Sequence, residues 1–559
     1  MNCFNVLMIL LFSAISIFAI TQKKYRPFDR KFLAELNKKW FEWTFVCLII
    51  AVGAFLRLYL LGEIPSGFNQ DEASIGYDSW AIANYGMDRN GDVFPVYPVA
   101  WGAGHGPFYL YVAAVFVKLF GLTPFVYRLP NALMGIATLV IFYLLLKRLW
   151  GRKAGYIGLL LLVFTPWHIM LSRWGLDANP LPFVLLLGVY WLVIAIDTGK
   201  TRWYILAAAV LSVSLYVYGS ALVAVPVMLL ILLPYLIYHK KLKWMQLLYA
   251  GITFVVIAIP LALFYIINLF ELPEISTSFF TIPRLTVLRS ESAFLEYDEA
   301  FWGNVLDNIH TLIEILTTGT SENLWNAVPK YYTVFLFTFP ITLLGAVQSF
   351  RRAATLKKFS YDTIFCAWFL GSVVLTLILA QININRLSVM IIPQIYFLVM
   401  GIVFIAQRFR RIFAVIGTAI LTAGLMFCSY YFTEFPKDVS EKFMDGLGEA
   451  LQYADEQESE TMYVTTRGVN GGGVMALFYL QTPPQEFVDT VVYYNNNAEF
   501  RHILRYGKYV FSLPEDVTSQ EYWDDIFVVH RNELSQFSEE DYIITRFENY
   551  AVVQHRGTV

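Results

Sequence analysis

The chain contains 559 residues, of which 57% are hydrophobic and 15% charged, and its mean hydropathy is +0.54. A soluble protein of this size could not bury so much apolar surface, so the composition predicts a polytopic membrane protein. The formal net charge is -2 and no basic stripe is present, which argues against a nucleic-acid partner. The four cysteines have neither disulfide-framework nor zinc-site spacing.

The amino-terminal region predicts a membrane anchor followed by a cytoplasmic linker, together residues 1–43. Its apolar run at 4–20 lacks a basic leader and a clear small-residue cleavage site, so we expect an uncleaved helix rather than a signal peptide. The basic segment at 23–39 should stay in the cytoplasm by the positive-inside rule. The apolar run at 44–61 then leads to the outer face of the membrane.

Ten further apolar runs have the length that a bilayer requires, so we expect about 11–12 transmembrane helices in residues 44–433. This arrangement places every later basic cluster in the cytoplasm. It requires that residues 107–121 form an interfacial or re-entrant helix rather than a span. The ten runs are 126–146, 155–171, 180–197, 203–219, 220–238, 247–270, 331–349, 361–380, 388–406 and 412–431.

Two loops and a domain are predicted on the outer face. The loops are 62–125 and 271–330, the second with an amphipathic helix near 301–316. Hydropathy falls after residue 433, and 434–559 is predicted to be a small extracytoplasmic α/β domain. We expect a helix at 439–456, a glycine turn at 470–473 and strands at 462–466, 487–494, 509–511, 526–529 and 542–545.

The first outer loop begins with two adjacent carboxylates, Asp71 and Glu72, directly after the first long span. Carboxylates at the edge of a membrane-embedded body are costly and usually mark function. The alternative is a solvated acidic loop, because most charges near membranes face water. The arginines brought to the same side by the predicted topology favour a functional role.

Three arginines lie at the outer ends of predicted spans, namely Arg128, Arg173 and Arg386. The guanidinium fork matches the oxygens of a phosphate, so their recurrence on one face favours a shared phosphate site. Each alone could instead be a snorkelling anchor at the headgroups. His105, in Gly104-His105-Gly106-Pro107, could contact a leaving phosphate or satisfy a turn, and both interpretations remain open.

A carboxylate facing a lipid phosphate suggests sugar transfer from a polyprenyl-phosphate donor. Asp71 would be the general base that deprotonates an acceptor hydroxyl, and the arginines would stabilise the departing phosphate. Direct displacement assisted by one base inverts the anomeric carbon. Four further polar residues could contact the acceptor or support the site from behind: Asp177, Asn179, Tyr77 and Asp78.

Several motifs resemble the integral-membrane C-type glycosyltransferases (GT-C), and within them the protein O-mannosyltransferases and lipid A aminoarabinose transferases. The resemblance covers about the first 240 residues, most clearly at 69–72, 104–121 and 127–135, and returns at 386–393. It implies a polytopic α-helical GT-C fold and a bacterial cell-envelope enzyme in the plasma membrane. It also implies that Asp71 is the catalytic carboxylate, with Glu72 beside it, and that Arg128 contacts the lipid phosphate.

Two departures from that family matter. The aminoarabinose transferases carry a lysine where this chain has Gly104-His105-Gly106, so the phosphate contact at that position differs. The lumenal β-trefoil repeats of eukaryotic O-mannosyltransferases are absent from the sequence, so a protein acceptor is not implied. The implied partners are a polyprenyl-phosphate-sugar donor, the bilayer, and a glycan, lipid or protein acceptor of the cell envelope.

A divalent cation and two other functions remain alternatives. Asp71 and Glu72 could hold Mg²⁺ or Mn²⁺ together with Asp298 and Glu299, or the latter two could form a solvated loop pair. A polyprenyl-linked sugar transporter or flippase would also need arginines, but it would favour two similar halves, which the sequence lacks. A sensor presenting the outer domain would not need so many spans.

Overall fold

The structure is a computed structural model that describes residues 3–21, 39–100, 104–285, 293–318, 324–355, 357–494 and 501–558. A helical body precedes a smaller β-rich domain at the carboxyl-terminal end. Six helices in the described part of the chain are long and apolar enough to cross a membrane. This confirms the predicted polytopic helical membrane protein. The six are Pro124–Trp150, Leu181–Thr198, Ala221–Tyr238, Trp244–Leu269, Ile384–Ala406 and Ile412–Thr433.

The helices of the body are numbered in chain order. They are α1 (Cys3–Thr21), α2 (Lys39–Leu58), α3 (Gln70–Tyr85), α4 (Pro107–Phe120), α5 (Pro124–Trp150), α6 (Arg152–Phe164), α7 (Pro166–Leu171), α8 (Leu181–Thr198), α9 (Thr201–Val213), α10 (Ala221–Tyr238), α11 (Trp244–Leu269), α12 (Phe301–Thr318), α13 (Phe339–Ala353), α14 (Asp362–Ile378), α15 (Ile384–Ala406) and α16 (Arg410–Thr433). A two-residue hairpin of β1 (Ile275–Ser276) and β2 (Thr281–Ile282) follows α11.

Some predicted spans are shorter or interrupted. The run at 155–171 is divided into α6 and α7 at Pro166, which lacks the N–H that would continue the first helix. The run at 203–219 ends early in a 3₁₀ turn at Ser214–Tyr216, and the run at 331–349 becomes helical as α13 only at Phe339. Boundaries of this kind are set by local backbone conditions that a hydropathy window averages out.

Helix α4 has 14 residues, which gives a length of about 21 Å against the roughly 30 Å of a bilayer core. Its buried positions include Tyr109, Leu110, Ala113 and Val117, a spacing that turns one face toward the protein. The opposite face exposes Val115, Leu119 and Phe120. Its shortness agrees with the exclusion of 107–121 from the spans, and its depth in the membrane stays a prediction.

The carboxyl-terminal domain contains a seven-stranded sheet in the order β4-β5-β6-β3-β7-β9-β8, in which β3 runs parallel to β6 and β7 and the other pairs are antiparallel. Its elements are α17 (Phe435–Val439), α18 (Leu447–Asp455), β3 (Met462–Val464), α19 (Gly472–Leu480), α20 (Pro484–Thr490), β4 (Val492–Tyr493), β5 (Ile503–Tyr506), β6 (Tyr509–Val510), β7 (Ile526–His530), β8 (Tyr542–Arg546) and β9 (Tyr550–His555).

Four of the five predicted strands in this domain are present, as β3, β6, β7 and β8. The strand predicted at 487–494 is wrong over most of its length, because α20 occupies residues 484–490 and only β4 remains. The helix predicted at 439–456 is confined to α18, and the glycine run at 470–473 leads into α19. Strands β5 and β9 were not predicted.

Helix α3 lies between the helical body and the carboxyl-terminal domain. Its buried residues share one hydrophobic core with side chains of α4, α5, α18 and α19. The rings of Phe68 and Phe478 are 4.4 Å apart, and the Tyr77 hydroxyl donates to the Thr482 carbonyl at 2.6 Å. The segment that carries Asp71 and Glu72 is therefore held from both sides.

Candidate functional site

Helix α3 begins with a capping box. The Asn69 side chain accepts a hydrogen bond from the Asp71 amide at 2.9 Å, and the Glu72 carboxylate accepts one from the Asn69 amide at 3.3 Å. Asp71 is half-buried in the first turn, at the positive end of the helix dipole. The Asn-Gln-Asp-Glu sequence thus fixes both carboxylates in one turn, in different environments.

Glu72 is fully buried and forms a two-pronged ion pair with Arg128. Nε and Nη2 of the guanidinium each lie 2.8 Å from a carboxylate oxygen, and the Gly175 amide donates to the same carboxylate at 2.7 Å. Glu72 therefore joins α3 to α5 and to the segment after α7. This geometry gives Glu72 a structural role, and its part in catalysis stays a prediction.

Arg128 is also fully buried, and its remaining guanidinium donors point back at the start of the outer loop. They donate to the carbonyls of Leu61, Pro65 and Gly67 at 3.0–3.3 Å. Arg128 therefore organises residues 61–72 in the structure, and its contact with a lipid phosphate stays a prediction. The motif in this loop was recognised in the sequence, but the pairing of Arg128 with Glu72 was not.

Arg173 has a comparable structural role. Its guanidinium donates to four carbonyls at and just beyond the end of α2, at 2.6–3.2 Å, and is flanked by the rings of Tyr431 and Phe432. A cation at a helix carboxyl terminus satisfies otherwise unpaired carbonyls. Arg173 therefore has a capping role in the structure, and its contact with a phosphate stays a prediction. The four carbonyls belong to Leu56, Tyr59, Leu60 and Ile64.

Two of the predicted acceptor residues are bonded within the protein. Asn179 is buried and donates its amide to the Trp174 carbonyl at 2.9 Å, which stabilises the turn after α7. Tyr77 is buried and bonded to the carboxyl-terminal domain through Thr482. Their contact with an acceptor stays a prediction.

The other predicted residues come together around a cavity of about 300 Å³. Its polar wall contains His105, Asp177 and Arg386, which are far apart in the sequence. Tyrosine side chains and an apolar wall complete it. These are Tyr97, Tyr218, Tyr265, Leu222, Val223, Phe264, Leu285, Phe294, Leu375 and Leu379. The cavity is therefore amphiphilic.

Arg386 reaches the cavity from the first turn of α15. The Asn383 side chain caps this helix by accepting from the Arg386 amide at 2.9 Å, and the Arg386 carbonyl accepts from the Ser220 hydroxyl at 3.0 Å. One guanidinium nitrogen donates to the Gln381 carbonyl at 2.7 Å. The side chain is only partly buried, in contrast to Arg128 and Arg173, so it can meet a ligand.

The loop that carries His105 is fixed by the glycines beside it. Gly104 has φ +125°, a conformation that favours glycine, and a Cβ on Gly106 would lie 2.0 Å from the Val217 carbonyl oxygen. The Gly106 amide donates to Asp177 at 2.9 Å. Asp177, which is 6% exposed, thus positions the loop and also lines the cavity.

Behind His105 lies Asp78, which is fully buried and paired with Arg89. Burial is the largest single influence on Asp78 and opposes its ionisation, but the charge and hydrogen bonds of Arg89 together with the neighbouring His105 outweigh it and lower the pKa of the carboxyl. Oδ2 of Asp78 is 3.7 Å from Nε2 of His105. Asp78 was among the predicted site residues and Arg89 was not. The turn Asp88-Arg89-Asn90-Gly91-Asp92 contains three charged residues, and this cluster could have indicated Arg89.

Asp71 does not form part of the cavity wall. Its charge, like those of Glu72 and Asp177, acts on the hydroxyl of Tyr127, which donates to the Gly175 carbonyl at 2.7 Å. Among the described residues that line the cavity, Asp177 is the carboxylate. The two carboxylates therefore differ in place, with Asp177 on the cavity wall and Asp71 at the start of α3.

The suggested site for Mg²⁺ or Mn²⁺ is not formed. No group of three or more His, Cys, Asp or Glu side chains converges in the ranges that the structure describes. Glu72 is occupied by Arg128, while Asp298 and Glu299 are exposed and an oxygen of Asp298 accepts from the Ala300 amide. The four carboxylates thus do not act as one ligand set.

Comparison with solved structures identifies the class of fold. The structure is similar to ArnT from Cupriavidus metallidurans bound to undecaprenyl phosphate, with a TM-score of 0.52 and 14% sequence identity, covering 91% of this chain and 98% of ArnT. The apo state of the same protein gives a TM-score of 0.52 over 91% of this chain. The chain therefore has the GT-C membrane fold that its motifs resemble.

Comparison of sequences finds similarity over part of the chain. Residues 104–265 match the family described as dolichyl-phosphate-mannose-protein mannosyltransferase. Two proteins of Bacillus subtilis (strain 168) are similar to it. "Putative mannosyltransferase YycA" is 28% identical over 170 residues, or 30% of this chain, and "Putative mannosyltransferase YkcB" is 30% identical over 102 residues, or 18% of this chain. These matches cover 24% and 14% of the two relatives.

Proposed function

We propose that the protein is a membrane glycosyltransferase that transfers a sugar from a polyprenyl-phosphate-linked donor to a cell-envelope acceptor on the outer face of the membrane. The observation that carries this proposal is the amphiphilic cavity, which is lined by Arg386 and His105 together with aliphatic side chains. A lipid phosphate needs both surfaces at once. The family match at 104–265 and the ArnT-like fold support the same conclusion.

In this proposal Arg386 binds the donor phosphate. Its fork of donors suits phosphate oxygens, and the low dielectric of the membrane-embedded wall strengthens the attraction. As the bond between the sugar and the phosphate breaks, charge grows on the phosphate, and a fixed cation beside it lowers the barrier. The ArnT structure of the same fold contains undecaprenyl phosphate, which makes that lipid a suitable probe.

Asp71 is the proposed general base. It accepts the proton of an acceptor hydroxyl while the oxygen attacks the anomeric carbon, and the donor phosphate leaves from the opposite face, so the configuration inverts. Asp177 lies on the cavity wall and would orient the donor sugar or the loop that contacts its phosphate. Asp71 and Asp177 are thus assigned different roles, which substitution can separate.

The second candidate is a transporter or flippase for the polyprenyl-linked sugar, since the same cavity would bind the same lipid. The half-buried Asp71 at the start of α3 favours the enzyme, because transport of the donor needs no base beside the cavity. Transfer of the sugar, and not movement of the lipid alone, decides between these functions.

The first prediction tests the base. In proteoliposomes with a polyprenyl-phosphate-mannose donor and an envelope extract as acceptor source, we expect Asp71→Asn to lower kcat at least about 10²-fold and leave donor binding within about twofold. Asp177→Asn, unlike Asp71→Asn, should weaken donor binding. Asp298→Asn, an exposed carboxylate on the second outer loop, is the matched control and should retain activity.

Full sugar transfer by Asp71→Asn would remove this residue as the base. Lipid movement without sugar transfer in the wild-type protein would instead favour the flippase. Binding of undecaprenyl phosphate that is unaffected by Arg386→Ala would contradict the proposed phosphate site.

A further inference from the structure

The polar wall of the cavity contains His105, to which the reaction described above assigns no chemical step. The His105 side chain is 10% exposed, and among the described residues neither ring nitrogen has a hydrogen-bond partner. Buried polar atoms are usually paired, so an open nitrogen on a cavity wall indicates a missing ligand. A histidine there offers a proton as well as a charge.

The group behind the ring is a carboxylate that cannot move away. Oδ1 and Oδ2 of Asp78 accept hydrogen bonds from Nε of Arg89 at 3.0 and 3.2 Å, and Nη2 donates to Oδ2 at 2.7 Å. Nη2 of Arg89 also donates to the Ser74 carbonyl and hydroxyl at 2.6 Å. These bonds hold Asp78 on α3 with one oxygen 3.7 Å from Nε2 of His105.

The charges around His105 come from several elements. Asp78 of α3 and Arg89 of the following turn lie behind it, with Asp88 beside them. Asp177, Arg386 and the phenols of three tyrosines line the cavity with it. Two carboxylates, Asp78 and Asp177, thus lie near the ring, and Arg89 is already paired.

We infer that Asp78 is a positioning residue that acts through His105, holding the ring with Nε2–H toward Oδ2 so that Nδ1–H is presented to the leaving phosphate. The inference rests on the proposed function. As the bond between the anomeric carbon and the phosphate oxygen breaks, the His105 proton passes to the departing phosphate. The ring becomes neutral, the acceptor proton goes to Asp71, and the new bond joins the acceptor oxygen to the anomeric carbon.

His105 is held from two sides in this arrangement. The glycines beside His105 fix the loop, the Gly106 amide is held by Asp177, and Asp78 fixes the ring from the other side. A lysine at this position would provide a permanent charge. A histidine backed by Asp78 provides one that can be discharged into the leaving group and restored from solvent.

The experiment measures binding of undecaprenyl phosphate to the detergent-solubilised protein between about pH 5.5 and pH 8.5, together with the pH profile of kcat for sugar transfer. His105→Gln is the matched control, because it removes the ionisable ring and leaves the other titrating groups, including Asp71 and the phosphate, in place. We expect the wild type to lose at least about tenfold in kcat on the alkaline side relative to His105→Gln, whose profile should lack that limb.

Asp78→Asn should change the pH profile only through His105. We therefore expect Asp78→Asn alone to lower kcat about tenfold. In the His105→Gln background it should lower kcat by less than a further factor of about two, and this difference measures the coupling between the two residues. Because Asp78→Asn leaves Arg89 buried without its partner and could unfold the protein, Asp78→Asn/Arg89→Gln provides a second variant that removes both charges. Its pH profile should match that of His105→Gln.

The outcomes separate the two proposals. If the wild type does not bind undecaprenyl phosphate, the proposed function fails. If it binds the lipid and transfers sugar, but the wild type and His105→Gln have the same pH profile, only the role of His105 is overturned. Equal costs of Asp78→Asn with and without His105 would overturn the positioning role of Asp78.

Discussion

At the scale of single residues, Asp71 and Glu72 are adjacent in the sequence but differ in burial. The sequence presents them as an equivalent pair, but α3 turns Glu72 into the interior and leaves Asp71 half-buried at the helix start. The reason is Arg128, which lies 56 positions further on and takes both oxygens of Glu72. Sequence reasoning found the motif and the arginine, and missed that they bind each other.

The ion pair of Glu72 and Arg128 predicts a large loss of stability when one partner is removed. Glu72→Gln leaves a fully buried guanidinium without a counter-charge, which costs about 3–5 kcal/mol. We expect a clear fall in the midpoint of thermal unfolding in detergent. Glu72→Gln/Arg128→Met, which removes both charges, should recover part of it. A stable Glu72→Gln variant that has lost only lipid binding would return Glu72 and Arg128 to the active site.

The same logic separates the three arginines that the sequence grouped together. Arg128 and Arg173 are fully buried, with their guanidinium groups bonded to carbonyls or a carboxylate, whereas Arg386 is partly buried and lines a cavity. Residue type and predicted topology could not distinguish these roles, because the carbonyls at the end of α2 become partners only once α2 and α7 pack together. Arg386 lines the cavity, and its contact with the donor phosphate stays a prediction.

At the scale of elements, the turn after α3 holds the carboxyl group of Asp92 partly away from solvent. Burial, with the charges of Glu274 and Asp78, raises the pKa of Asp92 to about 6 from an ordinary value of 3.8. A carboxyl whose pKa is raised by folding binds its proton more tightly in the folded state. Its contribution to stability is therefore complete below the ordinary pKa and is lost as the pH rises through about 6.

Asp92→Asn should therefore stabilise the protein only where Asp92 is ionised. We expect a gain of about 1 kcal/mol near pH 7.5, after allowance for solvent screening of this partly exposed group, and no gain near pH 4. The measurement is the midpoint of thermal unfolding at both pH values. The amide of residue 92 still donates to Asp88 in the variant, so the turn is retained. A gain of equal size at both pH values would attribute the effect to something other than ionisation.

The elements themselves were predicted unevenly. Long apolar helices such as α5 and α15 follow from hydropathy, and α12 at Phe301–Thr318 follows from its amphipathic pattern. Strand β9 was missed although it has six residues, is largely buried and pairs with both β7 and β8. The break at Pro166 shows that one backbone N–H can divide a segment that hydropathy joins.

At the scale of the whole molecule, the carboxyl-terminal domain is part of the support for the site. The sequence indicated a domain after residue 433 but gave no reason to place it against Asp71. In the structure Gly67 and Phe68 lie against the backbone of Phe443, and a Cβ on Gly76 would lie 2.6 Å from the ring of Phe478. Positioning of the proposed base thus depends on a domain that contributes no residue to the cavity wall described above.

Phe478→Ala tests this dependence, because its ring fills the contact between α19 and α3. Removal of a buried phenylalanine costs about 3–5 kcal/mol, and here the space opens directly beneath the helix that carries Asp71. We expect a lower unfolding midpoint together with a fall in kcat of at least about tenfold, while donor binding at Arg386 is retained.

The matched control is Phe537→Ala, a phenylalanine 6% exposed in a separate core cluster of the same domain, where it packs on Phe527 and Tyr542. It should cost comparable stability and leave kcat unchanged below its unfolding midpoint. If both variants lowered kcat equally, general loosening of the domain would explain the effect. If neither did, α3 would hold Asp71 through its cap and the Glu72 ion pair alone, and the domain would serve another purpose.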